Sequence, residues 1–194
     1  MKQLAPIALA CVLLSTACKK VNEPILTPEQ PELVGKQNID ASIRSSLESQ
    51  RRFEWSMTTP QVVWSALQQE DQLLSVGYKP VGTGNIDNNI HTIDIHSNTW
   101  KAAKEKLIQQ ILSAEQQLDR TLTREQVVII EDETLPFINV SVKNFETVKM
   151  LRANSSVRYA EPMAYEPKPA ISTDSDSGCG SNVAEGGLVA GVDY

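Results

Sequence analysis

Apolar and polar residues alternate or recur periodically from His91 to Pro167, and the pattern predicts a series of strands and helices. Alternation in H-T-I-D-I-H, residues 91–96, predicts a strand with two different faces. A helical period follows from Ser97 or Asn98, either of which can cap a helix. The apolar stripe of this helix comprises Trp100, Ala103, Leu107, Ile111, Ala114 and Leu118.

Two further strands, a helix and a last strand are predicted after this long helix. The apolar run at residues 127–130 favours an internal strand, and alternation at residues 137–143 favours a half-buried antiparallel strand. Asn144 is expected to cap a short helix, and a last strand opens at Val157 and is limited by Pro162. The order β-α-β-β-α-β is that of the split βαβ arrangement, so the predicted fold class is α+β, a ferredoxin-like sandwich.

An N-terminal helical extension is predicted over residues 37–84, ahead of a domain at residues 88–167. Asp40 is the expected cap of a first helix, with Ile43 and Leu47 on one face. Thr59 precedes a proline at the first position of a second helix. The buried side of that helix is expected to contain Val63, Ala66 and Leu67, and L-L-S-V-G-Y-K-P after it is typical of a short strand.

The first 17 residues have the layout of a signal peptide. Lys2 gives a positive start, an apolar run follows over residues 4–14, and small residues precede Cys18. The L-S-T-A-C pattern is similar to a lipoprotein signal with Cys18 as the lipidated residue, although Ser15 stands where that signal has Leu. Ordinary secretion after Ala17 is the alternative. Both interpretations predict an exported protein, and the first also predicts membrane attachment through Cys18.

Segments of low complexity are expected on both sides of the folded part. Residues 18–36 contain three prolines and are typical of a tether, with tails predicted to be disordered. Residues 168–194 are rich in Ser and Gly and favour a flexible linker.

Charge and metal-ligand content exclude several functional classes. The net charge is −6 and basic residues do not cluster, which argues against a nucleic-acid partner. The three cysteines and two histidines have no metal-ligand spacing, so neither a metal nor a cofactor is predicted. Asp94 and His96 would share one face of the predicted strand, but no nucleophile motif accompanies them. We therefore predict no catalytic residues in this chain.

The run F-I-N-V-S-V-K-N-F-E-T-V-K-M-L-R-A-N-S-S-V-R-Y-A-E-P, residues 137–162, carries a family signature. A short helix ends near Leu151, and Val157, Tyr159, Glu161 and Pro162 form V-x-Y-x-E-P. This run resembles the second half of subtilisin-type propeptides, the inhibitor I9 family. The extension upstream resembles precursors of secreted Bacteroidetes-type subtilisin-like (S8) serine proteases, and the resemblance covers about residues 45–194.

The resemblance implies a role as intramolecular chaperone and inhibitor of a subtilisin-like protease domain, in cis or in trans. It implies docking through Tyr159, Glu161, Pro162 and Tyr165, with Glu161 capping the N-termini of two protease helices and the following tail lying in the substrate cleft. The alternative for Glu161 is a solvated acid at a strand end.

The catalytic motifs of subtilases do not occur in this sequence, so we predict the N-terminal part of a serine endopeptidase precursor without its catalytic domain. The alternatives are an inhibitor acting in trans and a stand-alone envelope lipoprotein with a ferredoxin-like binding module.

Overall fold

The computed structural model describes residues 30–168. The predicted signal peptide, Cys18, most of the tether and the linker from residue 169 onward lie outside the described residues. The helices are α1 (Lys36–Gln50), α2 (Pro60–Leu67), α3 (Asn98–Glu115), α4 (Arg124–Val127) and α5 (Phe145–Ala153). The strands are β1 (Leu73–Tyr78), β2 (Val128–Glu131), β3 (Phe137–Ser141) and β4 (Val157–Pro162), and 3-10 helices occupy Trp55–Met57 and Asp87–Thr92.

The four strands form one antiparallel sheet in the order β2-β3-β1-β4. Val76 in β1 lies opposite Ile138 of β3 and Ala160 of β4, so β1 is an interior strand. The predicted α+β class is confirmed at this level: several helices accompany an antiparallel four-stranded sheet.

The predicted strand at residues 91–96 is wrong. These residues lie in the 3-10 helix Asp87–Thr92 and a following turn, in which the Asp94 carboxylate accepts a hydrogen bond from the backbone N–H of His96 at 2.9 Å. Aspartate favours such local turns over a strand ladder. The first strand is β1 instead, so the sheet includes residues that the sequence assigned to the extension and crosses the boundary predicted at residue 88.

One face of the sheet carries the main hydrophobic core. Leu74, Val76 and Tyr78 alternate onto this face, where buried residues of α2, α3 and α5 pack against them. The predicted stripe of α3 is buried at Leu107, Ile111 and Ala114, and Trp100 and Ala103 pack against the core from partly buried positions. Leu118 lies beyond the end of α3.

Two of the helix caps predicted from the sequence are confirmed, and a third is wrong. Thr59 caps α2 by accepting from the Val62 N–H at 3.3 Å, and Asn144 caps α5 by accepting from the Glu146 N–H at 3.1 Å, so both predictions are confirmed. The cap predicted at Asp40 is wrong, because α1 begins four residues earlier and Asp40 is buried inside it.

The strand β2 lies at the edge of the sheet and not in its interior. Ile129 and Ile130 are about half exposed there, which corrects the internal strand predicted from the apolar run. In residues 30–168 no helix is both long and apolar enough to cross a membrane.

Glu115, at the end of α3, is a buried carboxylate that joins two helices. It accepts hydrogen bonds from the backbone N–H groups of Lys143 and Asn144 and from the Thr147 hydroxyl, at the start of α5. Burial raises the pKa of Glu115 and outweighs these hydrogen bonds, which favour the charged form. The Glu115 carboxylate thereby satisfies two backbone N–H groups immediately before α5 and the hydroxyl of Thr147 within it.

Candidate functional site

The second face of the sheet carries two of the four residues that the sequence marks for docking. Tyr159 of β4 pairs with Gly77 of β1, and Glu161 of β4 pairs with Ser75 of β1. Along each strand these residues alternate with residues of the hydrophobic core. Successive side chains of a strand point to opposite faces, so these residues lie on the face away from α3 and α5. We call this surface the open sheet face.

Gly77 allows Tyr159 to lie flat across the strand beside it. A Cβ atom at Gly77 would collide with the aromatic ring of Tyr159. A glycine inside a strand pattern often marks such a close approach. The ring is therefore held against β1, where it forms part of the open sheet face.

Glu161 is half-buried and carries a carboxylate without a close partner. Within residues 30–168 it accepts no hydrogen bond, and the ion pairs found there do not include it. Burial raises the pKa of Glu161, the negative charge of Glu54 raises it further, and the positive charge of Arg152 opposes both. The carboxylate is thus partly desolvated and free to accept hydrogen bonds from a partner.

A pocket of about 450 Å³ lies beside Tyr159 and Glu161. Glu54 and Ser56 line one side of it, and the loop at residues 79–87 lines another. Asp87 of this loop forms an ion pair with Arg158, whose guanidinium lies 5.5 Å from the centre of the Tyr159 ring. The ion pair lowers the pKa of the exposed Asp87 carboxyl. These contacts hold the loop along β4, whereas the Glu161 carboxylate forms no ion pair among residues 30–168.

Arg152, near the end of α5, holds the 3-10 helix that forms the other wall. Its guanidinium donates to the carbonyl oxygens of Trp55 at 2.7 Å, Ser56 at 2.8 Å and Thr58 at 2.6 Å. Burial lowers the pKa of Arg152, and Glu161 opposes this shift. One side chain therefore positions the pocket wall and also acts electrostatically on Glu161.

Asn139 adds an unusual polar group to the sheet. It lies in β3 opposite Ser75 and is only 5% exposed. Its side-chain oxygen has no hydrogen-bond partner among residues 30–168. A buried polar atom without a partner is uncommon, and it lowers the stability of the domain.

The other two predicted docking residues lie elsewhere. Pro162 is buried and shares the strand face of Ala160, on the side of the hydrophobic core. Tyr165 packs against α1, where its hydroxyl donates to Asp40 at 2.7 Å. The structure thus brings Tyr159 and Glu161 to one surface and holds Tyr165 apart from them.

Asp94 and His96, which the sequence predicts on one strand face, do not pair as acid and base in the structure. Both are exposed, and the hydrogen bond between them involves the backbone N–H of His96 and not its imidazole. No group of three or more metal-ligating side chains comes together in the part of the chain that the structure describes.

Sequence reasoning missed Gly77, Asn139 and Arg152. Gly77 gave a signal, because glycine inside a strand-like run indicates close approach of another group. Asn139 and Arg152 gave none, since their roles depend on residues distant in the chain. Comparisons of the chain with protein-family models, with curated proteins and with solved structures found no match.

Proposed function

We propose that this chain is the propeptide of a secreted subtilisin-like serine protease and acts as intramolecular chaperone and inhibitor of the protease domain. The observation that carries the proposal is the position of Tyr159 and Glu161, the two central residues of V-x-Y-x-E-P, on the open sheet face. In the family that the sequence resembles, this face is the one that docks on the protease.

A ferredoxin-like arrangement is part of the proposal. The elements β1, α3, β2, β3, α5 and β4 follow the order β-α-β-β-α-β, apart from the short α4 before β2. The first and third strands of that series are interior strands of an antiparallel sheet, and both of its helices, α3 and α5, contribute to one core. This order and layering support a split βαβ fold with α1 and α2 as an addition.

Glu161 is the proposed centre of docking. Unpaired backbone N–H groups and the helix dipole make a helix N-terminus attractive to a carboxylate. Glu161 brings a carboxylate that is already partly desolvated and without a close partner in residues 30–168. Binding therefore replaces few existing contacts of this group, which favours its use as a cap for protease helices.

Export belongs to the same proposal. The signal peptide directs the chain out of the cytoplasm, and lipidation of Cys18 attaches it to a membrane in the lipoprotein form. The protease domain is supplied in cis or in trans, and the chain beyond residue 168 is the part that its substrate cleft binds.

The experiment measures binding of the full chain to a subtilisin-type protease whose catalytic serine is replaced by alanine, so that the chain is not cut. We expect Glu161→Gln to weaken binding about tenfold or more, since hydrogen bonds to a charged acceptor contribute about 1.5–3 kcal/mol. Glu48→Gln is the matched control, because Glu48 is an exposed acid on α1. Equal affinity of all three chains would remove Glu161 from the proposed interface.

A stand-alone envelope binding module is the second candidate, favoured by the position of Tyr165. The segment after β4 is held on α1, whereas an inhibitory tail must enter a substrate cleft. In this case the open sheet face binds another partner, and the chain does not bind subtilisin-type proteases at all.

A further inference from the structure

The segment at residues 163–168 is attached to α1 through a buried carboxylate. Asp40 is 3% exposed and accepts the Tyr165 hydroxyl on one oxygen at 2.7 Å and the Lys168 backbone N–H on the other at 3.3 Å. Among residues 30–168 these are the hydrogen bonds that the Asp40 carboxylate accepts. If the segment leaves, the Asp40 carboxylate loses both of these hydrogen bonds.

Two basic residues of α1 strengthen this attachment. The Lys36 ammonium lies 3.9 Å from the centre of the Tyr165 ring and donates to the Glu166 carbonyl at 2.9 Å. The Arg44 guanidinium donates to the Lys168 carbonyl at 3.1 Å. One face of α1 therefore binds the ring, the hydroxyl and the backbone of the same short segment.

Trp55 connects this attachment to the pocket beside Glu161. Its ring meets the Tyr165 ring edge to face, with centroids 5.4 Å apart. Its carbonyl accepts a hydrogen bond from Arg152, the residue whose charge acts on Glu161. The 3-10 helix at Trp55–Met57 therefore lines the pocket beside Glu161 through Ser56 and contacts the Tyr165 ring through Trp55.

We propose that α1 is a clasp that holds residues 163–168 closed, and that opening of the Tyr165–Asp40 contact controls when the chain beyond residue 168 reaches the active site of the protease. The inference rests on the proposed function, which supplies the protease. The extension before the sheet thereby has a role of its own: it delays exposure of the tail until the sheet has docked.

The clasp is tested by amide hydrogen exchange of the full chain, observed by NMR at Lys168. Tyr165→Phe keeps the ring contacts and removes the hydroxyl, and Asp40→Asn removes the charge. We expect either change to raise the exchange rate of the Lys168 amide about tenfold or more, because a charge-assisted hydrogen bond is lost. Ser49→Ala is the control, since the Ser49 hydroxyl bonds within α1 to the Ser45 carbonyl.

The double variant separates a direct contact from a general loosening of the fold. Because Tyr165 and Asp40 act through one contact, the combined exchange effect is expected to be smaller than the product of the two single effects. Unchanged Lys168 exchange in both single variants, with cooperative unfolding retained, would overturn the clasp.

Access of the protease is measured separately. We expect Tyr165→Phe to accelerate cutting of the tail by an active subtilisin-type protease by the same factor as the Lys168 exchange. Faster exchange without faster cutting would show that the contact does not control access and would reject the regulatory role. Failure of every chain to bind the protease would refute the proposed function, while the exchange rates would still decide whether the clasp exists.

Discussion

Single residues on the open sheet face keep polar groups that the fold leaves unsatisfied. Asn139 has an oxygen without a partner among residues 30–168, and Glu161 has a desolvated carboxylate beside the charge of Glu54. Both features cost stability in the free domain. Residues that serve binding often carry such a cost, which supports a docking role for this face.

The cost at Glu161 predicts a pH-dependent stability difference. The folded state raises the pKa of Glu161 above its ordinary value of 4.5, so its contribution to stability is present below about pH 4.5 and is lost as the pH rises through the folded pKa. Glutamine does not ionise, so the Glu161→Gln variant does not lose this stability and is expected to be more stable than the natural chain at pH 7. The gain is expected to be no more than about 1 kcal/mol, because the Glu161 side chain is partly solvated.

Urea denaturation at pH 4 and pH 7 measures this difference. The advantage of the Gln variant should grow from the lower to the higher pH. An advantage that shrinks as the pH rises would mean that the fold stabilises the charged carboxylate, contrary to our account of Glu161.

The role of a residue was predictable from the sequence where its hydrogen-bond partner is close to it along the chain. Thr59 and Asn144 were predicted as caps because each bonds a backbone group two or three residues away. Asp40 was misread as a cap because its partner Tyr165 is 125 residues away. No local pattern distinguishes an aspartate at a helix start from one that is buried by a distant segment.

Among the elements, β1 shows why the first strand was misplaced. Residues 91–96 alternate regularly, yet an Asp turn competes for their backbone. L-L-S-V-G-Y forms the interior strand instead, with Leu74, Val76 and Tyr78 in the core and Ser75 and Gly77 on the open sheet face. The alternation of apolar and polar residues indicates which residues would share a face of a strand. Which of the predicted strands joins the sheet depends on the neighbouring strands with which it can pair.

The link between α5 and the 3-10 helix at Trp55–Met57 is testable through Arg152. Arg152→Met keeps much of the side-chain bulk and removes three hydrogen bonds to backbone carbonyls. We expect the free energy of unfolding to fall by about 2 kcal/mol, as the carbonyls lose a charged donor. Arg120→Met, at an exposed arginine, should change it by less than about 0.5 kcal/mol.

Chemical denaturation gives both free energies. The position of the 3-10 helix is followed in the same samples through tryptophan fluorescence, which includes Trp55. If Arg152→Met lowers the free energy of unfolding no more than Arg120→Met does, the hydrogen bonds of Arg152 do not stabilise the 3-10 helix at the pocket wall.

The whole molecule has two unlike sides. Helices α2, α3 and α5 pack on one side of the sheet, while the other presents Tyr159, Glu161 and Ser75. The α+β class and the second half of the element order were predictable from hydrophobic period and caps. The role of α1 was not, because it depends on a segment that returns from the far end of the domain.

Inhibition is the most direct measurement of the central claim, that this domain acts on a subtilisin-like protease. The full chain is added at micromolar concentration to a panel of subtilisin-type proteases, and hydrolysis of a small peptide substrate is followed over time. We predict that hydrolysis slows in proportion to the added chain and recovers as the chain is cut. Unchanged hydrolysis with every member of the panel would contradict the account and favour a binding module with another partner.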